Sequence, residues 1–163
     1  MNGGTTLHPK LCARLAALVL SSRCLLVVSS SWRKEPEYMS AFLSKIQSLN
    51  VTAPFLAGQT GVIDHVPIMG MMRQLGMFVG DARRDALTCA RIQRAQEIQA
   101  YLREKDPGHA RRWVIVDDLD IGQVSSVAGL EDLELGRTFV KVDPDAGLTE
   151  ANVEAVRGVM ERG

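Results

Sequence analysis

Two unbroken apolar runs, Cys24-Leu25-Leu26-Val27-Val28 and Trp113-Val114-Ile115-Val116, interrupt a chain that otherwise spaces its apolar residues as helices do. Runs this short with no polar member predict strands buried on both faces, as in a parallel sheet. Before the first run, Leu11, Leu15, Leu18 and Val19 mark an amphipathic helix from near His8 to about Ser22, with Thr6 as a possible cap and Pro9 in its first turn. Pro36 opens a second helix, with Met39, Phe42, Leu43, Ile46 and Leu49 on one face. A weaker strand follows at 52–56. A long helix runs from about Arg84 to Arg103, with Ile92, Ala95, Ile98 and Leu102 facing inward, until Asp106-Pro107-Gly108 breaks it. Residues 122–136 read as a polar loop without a regular period. A short strand at 139–142 then meets the turn Asp143-Pro144-Asp145-Ala146-Gly147, and Thr149 caps a last helix with Val153, Val156 and Met160 inward. Strands alternating with helices predict one α/β domain over 1–163, a three-layer sandwich around a mostly parallel, Rossmann-like sheet.

Residues 62–83 fit this alternation least well. Pro67, Gly70, Gly76 and Gly80 punctuate them, and Met69, Met71, Met72 and Met77 crowd them. They predict a loop with a short helix that buries its methionines. The alternative is a lid whose adaptable thioethers touch a substrate.

Composition narrows the class without naming it. A chain of 163 residues with 46% hydrophobic and 23% charged residues can bury a core as a soluble domain. Nineteen basic and nineteen acidic residues leave no net charge, which argues against a large nucleic-acid footprint but allows a local patch. Cys12, Cys24 and Cys89 have no metal or redox spacing, so reduced thiols and a cytoplasmic location are expected. No stretch reaches the ~18 apolar residues of a membrane span, so no membrane partner is expected.

Both apolar runs end in polar clusters, Ser29-Ser30-Ser31-Trp32-Arg33 and Asp117-Asp118-Leu119-Asp120. In a parallel sheet the two clusters share the carboxyl edge, where open sheets bind ligands. Adjacent carboxylates repel unless a cation or donors neutralise them, and Mg²⁺ does so with one or two carboxylates plus phosphate oxygens. A serine hydroxyl with backbone amides can hold a phosphate oxygen at the same edge. The plainer alternative is a strand-to-helix turn at the serines, with Asp118 or Asp120 capping the turn after the acids. Arg33 is a phosphate clamp or a carbonyl cap. Arg91 and Arg94, on the long helix, either reach this edge or are solvated. His8, His65 and His109 show no metal spacing.

Three windows, in order, resemble the compact members of the haloacid dehalogenase superfamily associated with nucleic-acid repair. The first runs from Leu7-His8-Pro9-Lys10-Leu11 to Val27-Val28-Ser29-Ser30-Ser31-Trp32-Arg33. The second is Arg94-Ala95-Gln96-Glu97-Ile98 to Leu102. The third runs from Trp113 to Asp118 and on into Phe139 to Thr149. The resemblance implies Mg²⁺-dependent hydrolysis of phosphate monoesters on a phosphorylated small molecule or a nucleic-acid end. Ser29 would bind the phosphoryl oxygens, Arg94 would balance charge, and Asp117 with Asp118 would hold Mg²⁺. Ser30 and Arg33 would contact the rest of the substrate. The superfamily's nucleophile lies in an Asp-x-Asp-Gly motif at the end of a first, central strand, and these 163 residues contain no such motif. The expectation is therefore a start upstream of Met1, by about 10–20 residues for one strand and its lead-in. Without that strand, 24–28 should pair directly with 113–116 or the chain should be poorly soluble, and phosphatase activity should be missing. Two further readings are a non-catalytic phosphate- or nucleic-acid-binding module on the same fold, and an α/β interaction domain whose polar edge does nothing.

Overall fold

Each apolar run seeds a two-stranded parallel ribbon in the computed structural model, which describes residues 8–29, 34–108 and 110–162. Strand β1 (Leu26–Val28) pairs with β2 (Leu56–Gln59), with a bulge between Leu26 and Val27. Strand β3 (Ile115–Asp117) pairs in register with β4 (Phe139–Lys141), so that Ile115 faces Phe139 and Asp117 faces Lys141. Helix α1 (Pro9–Ser22) precedes β1, and α2 (Pro36–Ser48) crosses from β1 to β2. Helices α3 (His65–Gln74) and α4 (Ala82–Lys105) separate the ribbons in sequence, the short α5 (Leu135–Thr138) leads into β4, and α6 (Glu150–Glu161) follows it. The chain is thus α/β with parallel strands, as its alternating pattern predicts.

Several predicted boundaries move. The weak strand begins at Leu56, because Ala53–Phe55 closes a 3₁₀ turn in the place predicted for it. The run Trp113–Val116 is not buried on both faces. Ile115 is 7% exposed, but its neighbour Val116 is 40% exposed, so the strand has one covered face. Among the described residues β1 and β3 form no ladder with each other, so the direct pairing expected of a chain without a central strand does not occur.

Local signals explain the helix ends. Asp64 Oδ1 accepts from Val66 N at the start of α3, and Asp81 Oδ1 accepts from Arg83 N and Arg84 N at the start of α4. Each such cap is worth about 1 kcal/mol. Thr149 opens α6 with a reciprocal capping box to Asn152. Thr6, the expected cap of α1, lies outside the described residues. At Gly147 the backbone takes φ 64°, and a Cβ there would sit 2.5 Å from Leu11 Cδ1, so this turn needs glycine to close onto α1.

Three apolar clusters hold the elements. Cys12, Ala16 and Val19 on one face of α1 pack with Ile46 of α2 and Val51. Leu18, on another face of α1, packs with Val140, Leu148, Val153 and Val156. Helix α1 therefore joins the β1 side of the molecule to the β4 side. The largest cluster joins Ile68 and Met72 of α3, Ile92, Ala95 and Ile98 of α4, and Ile115. It also takes in Ile121 and, from the stretch read as a polar loop, Val124, Val127, Leu130 and Leu133. Those five recur every third residue, the period of a 3₁₀ helix, and Ile121–Val124 and Glu131–Leu133 are 3₁₀ turns. The methionine-rich segment contains α3, with Met72 fully buried and Met69, Met71 and Met77 against the same cluster, as the loop-with-helix reading expects.

Candidate functional site

Asp117 is the last residue of β3, and its carboxylate is almost fully enclosed, with 8% of the side chain exposed. Its Oδ1 accepts from Leu119 N at 3.0 Å, so the turn after the strand is built on Asp117 rather than on Asp118 or Asp120. Its Oδ2 accepts from Arg94 Nη1 at 2.8 Å. Arg94 projects from the middle of α4 and is itself 14% exposed, so the pair is screened little by solvent. Asp118 lies beside it at the surface, and Asp120 sits 3.6 Å from Lys141 Nζ on the neighbouring strand.

Arg94 serves a second acid. Glu97, one turn along α4 and 3% exposed, places Oε2 3.8 Å from Arg94 Nε. Glu97 Oε1 accepts from Ile63 N at 3.1 Å, and Gln93 Nε2 donates to Ile63 O at 2.5 Å. Helix α4 thus grips both backbone groups of Ile63, in the segment that leaves β2. Three residues earlier in that segment, Thr60 N donates to Val28 O at 3.0 Å, extending the β1–β2 ladder. Thr60 Oγ1 donates to Ser29 Oγ at 3.2 Å, and Thr60 is 3% exposed. Ser29 and Asp117 therefore both stand at the carboxyl ends of their strands. They are linked through Thr60, Ile63, Glu97 and Arg94.

Ser30 and Arg33 lie outside the described residues. Sequence reasoning singled out Ser29, Arg94, Asp117 and Asp118 but gave no part to Thr60, Gln93 or Glu97. The available signal was a glutamate on the inward stripe of α4, next to Ile98, a position that needs a buried partner. Among the described residues no group of three or more His, Cys, Asp or Glu side chains is placed to hold a metal ion. His65 is a surface residue 3.6 Å from Asp64. Burial pushes the thiols of Cys12, Cys24 and Cys89 above their ordinary range, so none is poised as a nucleophile.

Burial also raises the Asp117 carboxyl from 3.8 to about 6, outweighing the Arg94 cation and the Leu119 amide, with Asp118 adding to the rise. The folded state then holds this proton more tightly than the unfolded chain does. The contribution is full below pH 3.8 and is lost as pH rises through about 6. A rise of that size corresponds to roughly 3 kcal/mol. In metal-free buffer, urea unfolding of the wild type should show stability falling across this window, and Asp117→Asn should flatten the fall. An unchanged slope in the variant would assign the titration to another group.

The fold is α/β, with Ser29 at the carboxyl end of β1 and Asp117, paired with Arg94, at the carboxyl end of β3. Over residues 1–153 the chain matches the family described as the HAD domain in Swiss Army Knife RNA repair proteins, and it belongs to that family. The haloacid dehalogenase resemblance seen in the three sequence windows, with its tie to nucleic-acid repair, holds. No curated protein and no solved structure matches the chain. No helix among the described residues is long and apolar enough to cross a membrane.

Proposed function

We propose that this domain binds phosphate monoesters, with a Mg²⁺-dependent phosphohydrolase-type site at the carboxyl ends of β1 and β3. The observation that carries the reading is the enclosed Arg94–Asp117 pair at the end of β3, with Glu97 beside it holding the backbone segment whose Thr60 donates to Ser29 at the end of β1. In this reading Ser29 donates to a phosphoryl oxygen, and Thr60 and Glu97 act as positioning residues. Arg94 offsets the negative charge that a phosphate brings, and Ser30 and Arg33 contact the remainder of the substrate. The substrate class is a phosphorylated small molecule or the phosphorylated end of a nucleic acid, in the cytoplasm. The two ribbons would be flanks of one parallel sheet in a three-layer sandwich.

Asp117 and Asp118 fit a Mg²⁺ ion that keeps most of its waters, because this ion commonly takes one or two carboxylates and completes its shell with water and phosphate oxygens. Bound there, it would neutralise charge on the phosphate. Both Asp117 oxygens already accept hydrogen bonds, so the affinity should be millimolar at best.

The aspartate nucleophile of the superfamily is not among these 163 residues. The chain is therefore expected to bind phosphate without turning it over, which favours, as a second reading, a phosphate- or nucleic-acid-binding module. Calorimetry should show phosphate ester binding that Mg²⁺ strengthens and Ser29→Ala weakens, and a generic aryl phosphate should not be hydrolysed. Metal-dependent hydrolysis abolished by Asp117→Asn would overturn the non-catalytic expectation. Absence of any phosphate or Mg²⁺ binding would remove the site and leave the plain interaction domain.

A further inference from the structure

A cleft of about 540 Å³ opens between α3 and α4, beside the site but not used by it. That volume lies within the ~300–1,000 Å³ usual for small-molecule sites. Met69 and Phe78 line it, with Ala86, Ala90 and the polar pair Asp85 and Gln93 from α4. Asp85 is 8% exposed, and its Oδ1 accepts from Val79 N at 2.9 Å, which fixes the loop that carries Phe78. Gln93 belongs to both places. It lines the cleft, and its Nε2 reaches Glu97 Oε1 at 3.5 Å, next to the Arg94–Asp117 pair. A ligand that spans the two would have a flat or apolar end in the cleft and an anionic end at the strand edge.

We infer that the cleft takes the nucleobase of a nucleotide whose phosphate lies at the Ser29–Asp117 edge, an inference that rests on the phosphate reading above. The nucleotide is either free or the terminal residue of an RNA strand. A base stacks on an aromatic face whatever its sequence, and a thioether adapts to its outline. Phe78 and Met69 supply these two surfaces, while Ala86 and Ala90 leave room opposite. The Asp85 carboxylate, held by Val79 N at one oxygen, would repel an anionic group in the cleft. The N–H groups on the edge of a base suit it, because carboxylates and side-chain amides are the usual partners of those edges. Arg83 and Arg84 are exposed on the first turn of α4, where further phosphates of a strand can reach them. The membership in a family of RNA repair proteins agrees with a nucleic-acid end as the larger ligand.

The test compares adenosine, adenosine monophosphate and ribose 5-phosphate by calorimetry on the wild type and on Ala86→Phe, which fills the cleft from an exposed helix position. The monophosphate should bind about tenfold or more tightly than ribose 5-phosphate, the effect of one stacked base. Ala86→Phe should abolish that advantage and leave ribose 5-phosphate unchanged, and Ala86→Ser, which keeps the cleft open, should behave as the wild type. Equal affinity for the monophosphate and ribose 5-phosphate, or an advantage that survives Ala86→Phe, overturns the inference and leaves the phosphate site standing. Adenosine binding that Ala86→Phe removes, with no gain from a phosphate, keeps the cleft and overturns the phosphate site instead. A phosphorylated hexanucleotide that binds more tightly than the monophosphate identifies an RNA end, and equal binding identifies a free nucleotide.

Discussion

Replacing Arg94 with alanine should cost about 3–5 kcal/mol of stability at pH 7.5, the range for removing one partner of a buried ion pair. The reason is double. Asp117 and Glu97, with side chains 8% and 2% exposed, both lie within ion-pair distance of this guanidinium. The cost should shrink at pH 5, because the Asp117 carboxyl titrates at about 6 and can then take a proton in place of the lost cation. Urea unfolding at the two pH values measures both effects. Arg94→Lys should recover only part of the loss, since a single ammonium cannot reproduce a guanidinium that reaches Asp117 through Nη1 and Glu97 through Nε. A loss below about 1 kcal/mol, the size typical of exposed pairs, would mean that the pair is solvated and that the polar edge is not preorganised.

Ile121→Ala should be the next largest change, about 2–5 kcal/mol, because Ile121 is fully buried in the largest cluster. Its position one residue after Asp120 ties it to the site. If the 3₁₀ stretch holds the end of β3 in place, the variant should weaken phosphate binding as well as stability. Gln123→Ala, a surface change three residues from the cap of that turn, should do neither beyond a few tenths of a kcal/mol. A denaturation midpoint unchanged in Ile121→Ala would show that the stretch is not part of the cooperative core.

The last helix was legible because the Thr149 cap and the spacing of Val153, Val156 and Met160 agree, and the long helix because Ile92, Ala95, Ile98 and Leu102 keep its period. The caps Asp64 and Asp81, by contrast, went unread in a stretch punctuated by Pro67, Gly70, Gly76 and Gly80. The strands were legible in kind but not in extent. An apolar run records that a segment is apolar, not how many of its faces are covered, and Val116 is exposed for want of a neighbour over it. The stretch after Asp120 was missed because its period is three, between the two periods usually sought. Asp117 was legible from its place at a strand end, while Arg94 was one of two candidate arginines on the long helix and was singled out by the family resemblance. Thr60 and Glu97 were not, since their importance depends on which backbone groups of Ile63 and which hydroxyl of Ser29 come within reach after folding.

Among the described residues, β1 and β3 each carry a ladder on one side alone. An unpaired strand edge is a template for another chain, and the short apolar sequence Trp113–Val116 makes that template sticky. Arg111 and Arg112 stand immediately before it, and Asp117, Asp118 and Asp120 after it. Charges in these flanking positions act as gatekeepers against self-association. The acids proposed to hold Mg²⁺ would thus have a second office, in colloidal behaviour. Neutralising the exposed Asp118 would be expected to make the protein precipitate at lower concentration, and a metal ion bound to it would lift the same restraint by cancelling the same charge.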